Sequence, residues 1–482
     1  MNKNFKYIPK DKRKKILLLS DDIRTSSGVA TVAREIVLHT AHYFNWVNIG
    51  AAIKHPENGK RLDISEDTNK NANLTDASVT IYPYDGYGNA DLLRKMIKLE
   101  KPDALLLITD PRYFTWLFDI ENEIRKTIPI TYLNIWDDYP APMYNKEYYE
   151  SCDLLMGISK QTVNINKLVL GDKAKDKLIK YVPHGLNSKI FFPIDETYSK
   201  YKDFLQFKNT LFEEKEYKFV VFFNSRNIRR KQIPDTIWAF KQFVDSLTEE
   251  QAKECCLVLH TQKVDPNGTD LPAVVEALCG NDPKYNIIFS EKRLPPEQMN
   301  WLYNCTNVQI QLTSNEGWGL SLTEALLVGN PIIANVTGGM QDQMRFIDEN
   351  DEWFTPNEQV PSNHKGTYKN HGKWAFPIFP SNISIQGSPP TPYIFDDRCS
   401  ASDAADRIKE AWEMGDDAIK FRGNLGRKWA MSEEAGFTSS KMASRIINNF
   451  KTLFDTWTPR AKYELFKIED KKPLTTPHKL IY

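Results

Sequence analysis

The chain has 482 residues, too many for one ordinary hydrophobic core, and 41% of them are apolar, which is enough to bury two cores. Its 63 basic and 63 acidic residues balance, so the composition gives no general argument for nucleic-acid binding, and any such surface must be a local patch. No segment has the roughly 18 uninterrupted apolar residues of a membrane span, and the basic N-terminus lacks a signal-peptide pattern, so we expect a cytoplasmic protein.

The six cysteines form no CxxC pair and show no Cys/His spacing typical of a metal site. Their distribution predicts reduced, mostly buried thiols and no structural zinc.

Short apolar runs alternate with helical stretches through the first half of the chain. The helical stretches include 28–44 and 89–102, and the apolar runs have the length of buried strands. This alternation predicts a parallel sheet covered by helices on both faces. The predicted strands of this half are 15–20, 46–51, 79–84, 104–109, 130–136 and 154–159.

The alternation breaks at 181–217, where prolines, a glycine and a charged stretch predict an inter-domain linker. We expect an N-terminal domain at 1–195, a C-terminal domain at 196–455 and a tail at 456–482 that can pack back on the N-terminal domain. Two such doubly wound domains face a cleft, and their ligands bind beyond the carboxyl ends of the strands. The predicted strands after the linker are 219–225, 255–261, 286–291, 308–313 and 331–336.

Residues 345–400 form an irregular insertion rich in proline, glycine, asparagine and aromatic residues. A stretch of this length without a regular pattern is usually functional or disordered, and its aromatic residues argue against disorder.

The segment 315–331, NEGWGLSLTEALLVGNP, places two glutamates eight positions apart around a glycine turn. A purely structural interpretation makes Ser321 and Glu324 a capping box, but it leaves Glu316 and the glycines unexplained. A glycine turn between a strand and a helix presents bare backbone amides, which suit phosphate. The flanking carboxylates would accept hydrogen bonds from hydroxyls on either side of it. A nucleotide-sugar has this chemistry.

The longer segment EGWGLSLTEALLVGNPIIANVTGG closely resembles the donor-site motif of retaining GT-B glycosyltransferases, the family 4-like group that includes glycogen and sucrose synthases. The resemblance implies an α/β fold of two Rossmann-like doubly wound domains facing a central cleft. It also implies transfer from a nucleotide-sugar, expected to be UDP-linked, without a metal or another cofactor. Glu316 would contact the transferred sugar and Glu324 the ribose. The remaining donor-binding residues implied by the motif are Gly317, Trp318, Gly319 and Leu320.

The segment FFNSRNIRRKQIPDTIWAF resembles a second stretch of the same family, in which an arginine and a lysine contact the leaving diphosphate. Arg226 and Lys231 keep the family spacing, and we expect them to act in catalysis with Glu316, whereas Arg229 and Arg230 are expected on an exposed basic loop. Gly28 matches a family glycine near the donor phosphates.

Candidate acceptor-side residues lie in loops after strands of the first domain. Turn and cap formation explains the aspartates almost equally well, and a lone histidine is more often structural. These candidates are Asp21, Asp22, Arg24, Asp110, Arg112, Asp137, Asp138 and His184.

The overall sequence also resembles large glycosyltransferases of tailed phages, such as the T-even-type hydroxymethylcytosine DNA arabinosyl- and glucosyltransferases. That resemblance makes 5-hydroxymethylcytosine in double-stranded DNA the preferred acceptor, in the host cytoplasm if the chain is phage-encoded. Basic stretches at 10–15, 229–231 and 365–373 could contact DNA, and the aromatics of 368–395 could stack on a base. The structural alternative is a solvated charged surface and a loop covering the core.

Three other functions stay open. The acceptor could be a cell-surface glycan, a lipid or another sugar, or the chain could be a non-catalytic nucleotide-sugar-binding scaffold. A phosphorylase of the same fold is a further alternative, although no pyridoxal-phosphate lysine segment is recognisable.

Overall fold

The computed structural model describes residues 7–51 and 54–463. Its strands are β1 (Lys14–Asp21), β2 (Phe44–Ala51), β3 (Leu62–Asp63), β4 (Val79–Pro83), β5 (Ala104–Ile108), β6 (Ile130–Asn134), β7 (Leu154–Gly157), β8 (Leu178–Tyr181), β9 (Phe219–Asn224), β10 (Cys255–His260), β11 (Ile287–Phe289), β12 (Val308–Gln311), β13 (Ile332–Asn335), β14 (Ala375–Ile378), β15 (Asn382–Ser388) and β16 (Thr391–Arg398).

The α-helices lie between these strands and after them. They are α1 (Gly28–Thr40), α2 (Ser65–Ala72), α3 (Ala90–Glu100), α4 (Thr115–Phe118), α5 (Glu121–Ile124), α6 (Lys146–Glu150), α7 (Lys160–Leu170), α8 (Tyr201–Leu211), α9 (Ile233–Asp245), α10 (Glu249–Lys253), α11 (Leu271–Cys279), α12 (Pro296–Asn304), α13 (Leu320–Val328), α14 (Met340–Met344), α15 (Ala401–Glu413), α16 (Gly415–Ala430) and α17 (Ser439–Thr456).

The N-terminal sheet has the strand order β3-β4-β2-β1-β5-β6-β7-β8, and every neighbouring pair is parallel except β3 and β4. Its central strand β1 carries the run ILLL, whose side chains are all buried because helices cover both faces. The C-terminal sheet has the order β11-β10-β9-β12-β13-β14 and is parallel throughout. The predicted α/β class with two doubly wound parallel-sheet domains is confirmed.

Every strand predicted from an apolar run is present, and several strands were not predicted. β8 begins just before the stretch expected to be a linker, and β14 lies inside the insertion expected to be irregular. Both are short edge strands: β8 is only partly buried, and β14 has a proline among its four residues. β15 and β16 form a separate antiparallel hairpin in the same insertion.

The aromatic residues of the insertion mostly pack into the protein. Trp374 stacks on Trp429 with ring centroids 4.9 Å apart, and Tyr368 packs against Phe354 at 4.8 Å. Tyr393 meets Tyr144 of the N-terminal domain edge-on at 4.9 Å. The stacking platform for a DNA base suggested by the sequence is therefore not formed by these rings, and the insertion instead covers the core.

The last helix, α17, crosses back to the N-terminal domain. Ser439 Oγ donates to Glu35 Oε2 of α1 at 2.6 Å, and Phe450 packs edge-on against Phe44 at 5.5 Å. Beyond the helix, Arg460 Nη1 donates to Glu121 Oε1 at 2.7 Å. The first residues of the predicted tail therefore contact the N-terminal domain, and its remainder, 464–482, lies outside the described residues.

All six cysteines are free thiols, five of them buried. In the described part of the chain, no helix combines the length and the apolarity needed to cross a bilayer.

Candidate active site in the cleft

A cavity of about 1070 Å³ lies between the two parallel sheets. It is lined by the carboxyl ends of strands from both domains, where ligands bind in folds of this kind. The predicted site residues that line it are Asp21, Gly28, Asp110, Arg112, Asp137, His184, Arg226, Lys231, Glu316, Gly317, Trp318, Gly319, Leu320 and Glu324.

The carboxylate of Glu316 is held by two cations at the C-terminal wall of this cavity. Its Oε2 accepts a hydrogen bond from Arg230 Nη1 at 3.0 Å and a second, very short one from Lys231 Nζ. Lys231 ends a 3₁₀ turn, Arg229–Lys231, just before α9. The carbonyl of Arg230 accepts from Ser314 N at 2.9 Å, so the turn is bonded directly to the loop that carries Glu316.

The electrostatics of this group favour its charged form. Burial alone would raise the pKa of Glu316, but the charges and hydrogen bonds of Lys231 and Arg230 lower it to about 2. Burial, together with the neighbouring charge of Arg230, lowers the pKa of Lys231 to about 8. At neutral pH the three groups therefore carry one negative and two positive charges, which leaves a net positive charge facing the cavity.

Arg226 and Arg230 occupy the opposite positions to those expected from the sequence. Arg226 lines the cavity, but its side chain is 63% exposed and its Nε pairs with Asp265 at 2.9 Å. Arg230, expected on an exposed loop, instead reaches Glu316. The family spacing could not distinguish them, because the 3₁₀ turn rotates one arginine of the RNIRRK run inward and leaves Arg229 exposed.

Glu324 lies one helical turn inside α13 and faces the same cavity. Its Oε2 accepts from Tyr303 Oη at 2.6 Å and from Asn224 Nδ2 at 3.2 Å. Burial raises the pKa of Glu324 to about 7, and these two hydrogen bonds oppose the shift. The predicted capping box is absent, since Gly319 is the N-cap of α13 and no side chain caps it.

Asn224 and Tyr303 were missed in the sequence. Asn224 is the last residue of β9, at the carboxyl end of a strand, where ligands bind in folds of this kind. Tyr303 lies in α12, and nothing local marks it as a site residue.

The glycines of the turn are required by close packing of the backbone. Gly319 has φ +84°, and a Cβ on Gly317 would lie 2.6 Å from the carbonyl oxygen of Ile135 in the N-terminal domain. Gly338 has φ +52°, and its Cβ would lie 1.9 Å from the carbonyl oxygen of Glu316. The side chain of Trp318 is buried, and its Nε1 donates to Thr323 at 2.9 Å, so only its main chain can serve a ligand.

The first βα loop of the N-terminal domain closes the cavity opposite α13. Gly28 starts α1, and its hypothetical Cβ would lie 3.7 Å from Leu320 across the cleft. Asp21 accepts hydrogen bonds from Ser27 Oγ and from Tyr87 Oη, the latter at 2.8 Å. Its carboxylate therefore holds this loop in position while bordering the cavity.

Three acceptor-side candidates do not line the cavity. Asp22 is buried, and its carboxylate forms an ion pair with Arg24 Nη2 at 2.7 Å within the turn after β1. Asp138 is buried behind the cavity next to Asp397. For Asp22 and Arg24 the turn-forming alternative describes the contacts better than the acceptor-binding one.

The hairpin β15–β16 borders the acceptor side of the cavity through Thr391 and Ile394. Arg112 Nη1 donates to Thr391 Oγ1, and Arg112 Nε donates to Asp110 Oδ1 at 2.8 Å. The backbone amide of Phe395 donates to the carbonyl of Tyr139 at 2.7 Å. A segment of the C-terminal domain is therefore bonded across the cleft to the N-terminal domain.

Asp137 and His184 are the remaining acceptor-side candidates that line the cavity. Burial raises the pKa of Asp137, while Arg230 opposes the shift and Glu316 adds to it, which places this carboxyl near the Glu316 cluster. Burial lowers the pKa of His184 to about 3 although Glu316 opposes the shift, so its imidazole is neutral. Its Nδ1 has no hydrogen-bond partner.

Some of the basic stretch near the N-terminus is engaged within the protein. Lys14 Nζ pairs with Asp103 at 2.8 Å, and Lys15 Nζ pairs with Glu100 at 3.0 Å. These pairs weaken the argument for a DNA surface there.

No protein-family model matches the chain. A trehalose phosphorylase from Pleurotus pulmonarius is 27% identical over 128 residues, which are 26% of this chain and only 16% of that protein. Among solved structures, Anabaena HepE in complex with UDP and glucose is 14% identical with a TM-score of 0.62, over 92% of this chain and 100% of that one. Sucrose-phosphate synthase from Thermosynechococcus elongatus gives the same identity, coverage and TM-score. The chain is therefore similar in its whole architecture to two-domain GT-B glycosyltransferases, and it has their fold.

Proposed function

We propose that the chain is a retaining glycosyltransferase that moves a sugar from a nucleotide-sugar, UDP-linked, to an acceptor hydroxyl. The observation that carries this proposal is the Glu316 carboxylate paired with Arg230 and Lys231 in a cavity lined by both domains. The structure of HepE was determined with UDP-glucose, which supports the choice of a UDP-linked donor.

The donor diphosphate would bind where the cations face the start of α13. The first amides of this nine-residue helix, around Gly319 and Leu320, have no partners within the helix and carry its positive dipole end. The excess positive charge of Arg230 and Lys231 over Glu316 adds to this attraction. Arg226, on the same wall, is exposed enough to exchange Asp265 for a phosphate oxygen.

The two glutamates would bind the hydroxylated ends of the donor. Glu316 is ionised and accepts hydrogen bonds only, so it suits hydroxyls of the transferred sugar. Glu324 is prealigned by Tyr303 and Asn224 and suits the ribose hydroxyls.

The transfer would take place on one face of the sugar. The bond between the anomeric carbon and the diphosphate oxygen breaks, the acceptor oxygen bonds to that carbon, and the departing oxygen takes the acceptor proton. Arg230 and Lys231 would stabilise the charge that develops on the diphosphate. Their positions are set before the ligand arrives, which keeps the reorganisation cost low.

The acceptor would enter on the side bordered by Asp137, Arg112 and the hairpin β15–β16. 5-Hydroxymethylcytosine in DNA is the acceptor favoured by the sequence resemblance, and a glycan, a lipid or another sugar is the alternative. A DNA acceptor would have to insert its modified base into the cavity, because the aromatic rings of the insertion are packed inward.

The decisive experiment measures release of free nucleotide from a panel of nucleotide-sugars. Each donor is tested alone, with hydroxymethylcytosine DNA, with unmodified DNA, with oligosaccharides and lipids, and with inorganic phosphate. We expect release with one UDP-sugar, stimulated by one acceptor class, and a product whose anomeric configuration matches the donor by NMR.

The outcomes separate the alternatives. Stimulation only by oligosaccharide or lipid would remove DNA as the acceptor, and phosphate as the best acceptor would indicate a phosphorylase. Donor binding without turnover would indicate the scaffold. Glu316→Gln and Lys231→Ala should each lower turnover by well over tenfold in a folded protein, and near-normal turnover in both would contradict the assignment.

A further inference from the structure

Three buried side chains of metal-ligand type meet behind the cleft, where three distant segments of the chain cross. Asp138 follows β6, Asp397 lies in β16 and His364 lies in the insertion, and one potential ligand atom from each lies within 4.8 Å of the others. The exposed fractions of Asp138 and Asp397 are 0%, and that of His364 is 4%. None of the three lines the donor cavity.

The hydrogen bonds around this cluster are incomplete. Thr337 Oγ1 is 2.7 Å from Asp397 Oδ2 and 3.2 Å from Asp138 Oδ2, but a hydroxyl has one proton to donate. Asp138 Oδ1 accepts from the amide of Tyr139 at 2.8 Å and from Gln161 Nε2 at 3.1 Å. Among the residues that the structure describes, Asp397 Oδ1 is buried without a hydrogen-bond partner, which is costly for a carboxylate oxygen.

The charges of the cluster are not balanced by the side chains around it. Within the described residues, neither carboxylate pairs with a lysine or an arginine, and the nearest cationic candidate is His364 Nδ1, 3.7 Å from Asp397 Oδ2. Two adjacent buried carboxyls need either a shared proton or a cation.

We propose that Asp138, Asp397 and His364 bind one divalent cation of the Zn²⁺ or Mn²⁺ type. Two carboxylates and one imidazole suit these ions, whereas Mg²⁺ and Ca²⁺ prefer ligand sets made only of oxygen. The bound ion supplies the missing positive charge and a partner for the free oxygen of Asp397. The cluster lies outside the donor cavity, so binding of the ion can be measured without a donor.

The ion has a structural role in this proposal. It joins the loop after β6, the insertion and the hairpin β15–β16, and it adds to the hydrogen bonds between that loop and the hairpin, such as Phe395 N to Tyr139 O. Asp137, the cavity residue next to Asp138, is thereby fixed in position.

The test uses the full chain stripped of metal by a chelator and dialysis. Uptake of Zn²⁺, Mn²⁺, Mg²⁺ and Ca²⁺ is measured by calorimetric titration and by inductively coupled plasma mass spectrometry. We expect one equivalent of Zn²⁺ or Mn²⁺ per chain, with a rise in melting temperature, because binding to the folded state alone stabilises it. Asp397→Asn and His364→Gln should each weaken this uptake at least tenfold.

Asp396→Asn is the matched control. Asp396 is the adjacent residue of β16, accepts from Arg398 Nε at 2.9 Å, and points to the other face of the strand. Its substitution should leave uptake unchanged, and circular dichroism checks that all variants fold. Uptake that survives both Asp397→Asn and His364→Gln would place the ion elsewhere, for example on the free cysteines, and would overturn the proposal. A stripped wild-type chain that takes up neither Zn²⁺ nor Mn²⁺ would also overturn it and leave a shared proton as the balancing charge.

Discussion

Arg230 Nη1 lies 3.0 Å from Glu316 Oε2, and the same oxygen accepts a hydrogen bond from Lys231. One carboxylate therefore holds two cations at the end of the C-terminal sheet, where they face the first βα loop of the other domain. This arrangement orients Glu316 in the absence of a ligand. It also leaves a net positive charge that can attract an anionic ligand.

Replacement of Glu316 by glutamine removes the charge that aligns the two cations. We expect Glu316→Gln to lower kcat by well over tenfold, because Arg230 and Lys231 lose their common partner and the sugar loses an ionised acceptor. The melting temperature should fall while the chain stays folded, since Lys231 is left buried without its charged partner. Steady-state release of UDP and a thermal melt check this expectation, and an unchanged kcat would contradict the role given to Glu316.

The neighbouring arginines provide a matched pair for the charge argument. Arg230→Ala should lower turnover at least tenfold, whereas Arg229→Ala, which removes the same group from an exposed position in the same 3₁₀ turn, should stay within twofold of the wild type. Equal effects of the two substitutions on kcat would indicate a diffuse basic surface and no specific contact.

The pKa of Lys231 predicts an alkaline limit of activity. Because burial and Arg230 lower this pKa to about 8, the ammonium loses its proton above pH 8, and its stabilisation of the departing diphosphate is lost with it. We expect kcat/KM to fall as the pH rises through this value. In Lys231→Arg the decline should disappear, because a guanidinium stays charged, even if the absolute rate is lower. A wild-type profile that stays level to pH 9.5 would show that the charge of Lys231 does not matter.

Glu324 should make stability depend on pH in a defined direction. Its folded-state pKa, raised to about 7, exceeds the ordinary value of 4.5, so the folded state binds its proton more tightly than the unfolded state. The contribution of this proton to stability is present below pH 4.5 and is lost as the pH rises through 7. Glu324→Gln, which cannot ionise, should therefore gain stability relative to the wild type between pH 5 and pH 8.

The measurement is a pair of thermal melts at those two pH values. The melting temperature of Glu324→Gln minus that of the wild type should be larger at pH 8 than at pH 5 by at least about 2 °C. Donor affinity provides a second readout, because the amide can donate where the carboxylate only accepts. A difference in melting temperature that is the same at both pH values would refute the raised pKa.

Substitution of two glycines with nearly the same φ can distinguish the effect of backbone strain from that of steric conflict. Gly171 has φ +55° with no heavy atom within 4 Å of its hypothetical Cβ, whereas Gly338 has φ +52° with the carbonyl oxygen of Glu316 at 1.9 Å. Gly171→Ala should cost about 1–3 kcal/mol from backbone strain alone, because φ +55° with ψ −131° is a conformation that favours glycine. Gly338→Ala should cost clearly more and also displace Glu316, so it should reduce both melting temperature and turnover. Equal melting temperatures of the two variants would show that the loop beneath Glu316 can move freely.

The parts of the fold that were predictable from sequence are those with a strong local pattern. The central strands are runs of buried apolar residues, such as ILLL in β1, because a parallel sheet is covered on both faces. β8 and β14 were missed because each is an edge strand held by pairing with one neighbour. β8 is only partly buried, and the proline in β14 argues against a central strand. The hairpin β15–β16 was missed for a similar reason, since β15 is largely exposed.

The sequence by itself determined the motif that we propose binds the donor: a strand, a glycine turn and a helix with two carboxylates eight positions apart. That motif is local, so its residues must lie together wherever the segment folds. Only the tertiary structure decided which cations meet Glu316, which residues align Glu324 and which aspartates turn away from the cavity. Arg230 lies 86 positions from Glu316, and Asn224 lies 100 positions from Glu324. Contacts over such separations depend on how the strands of the sheet are ordered and how the two domains pack, and no short stretch of sequence records that order.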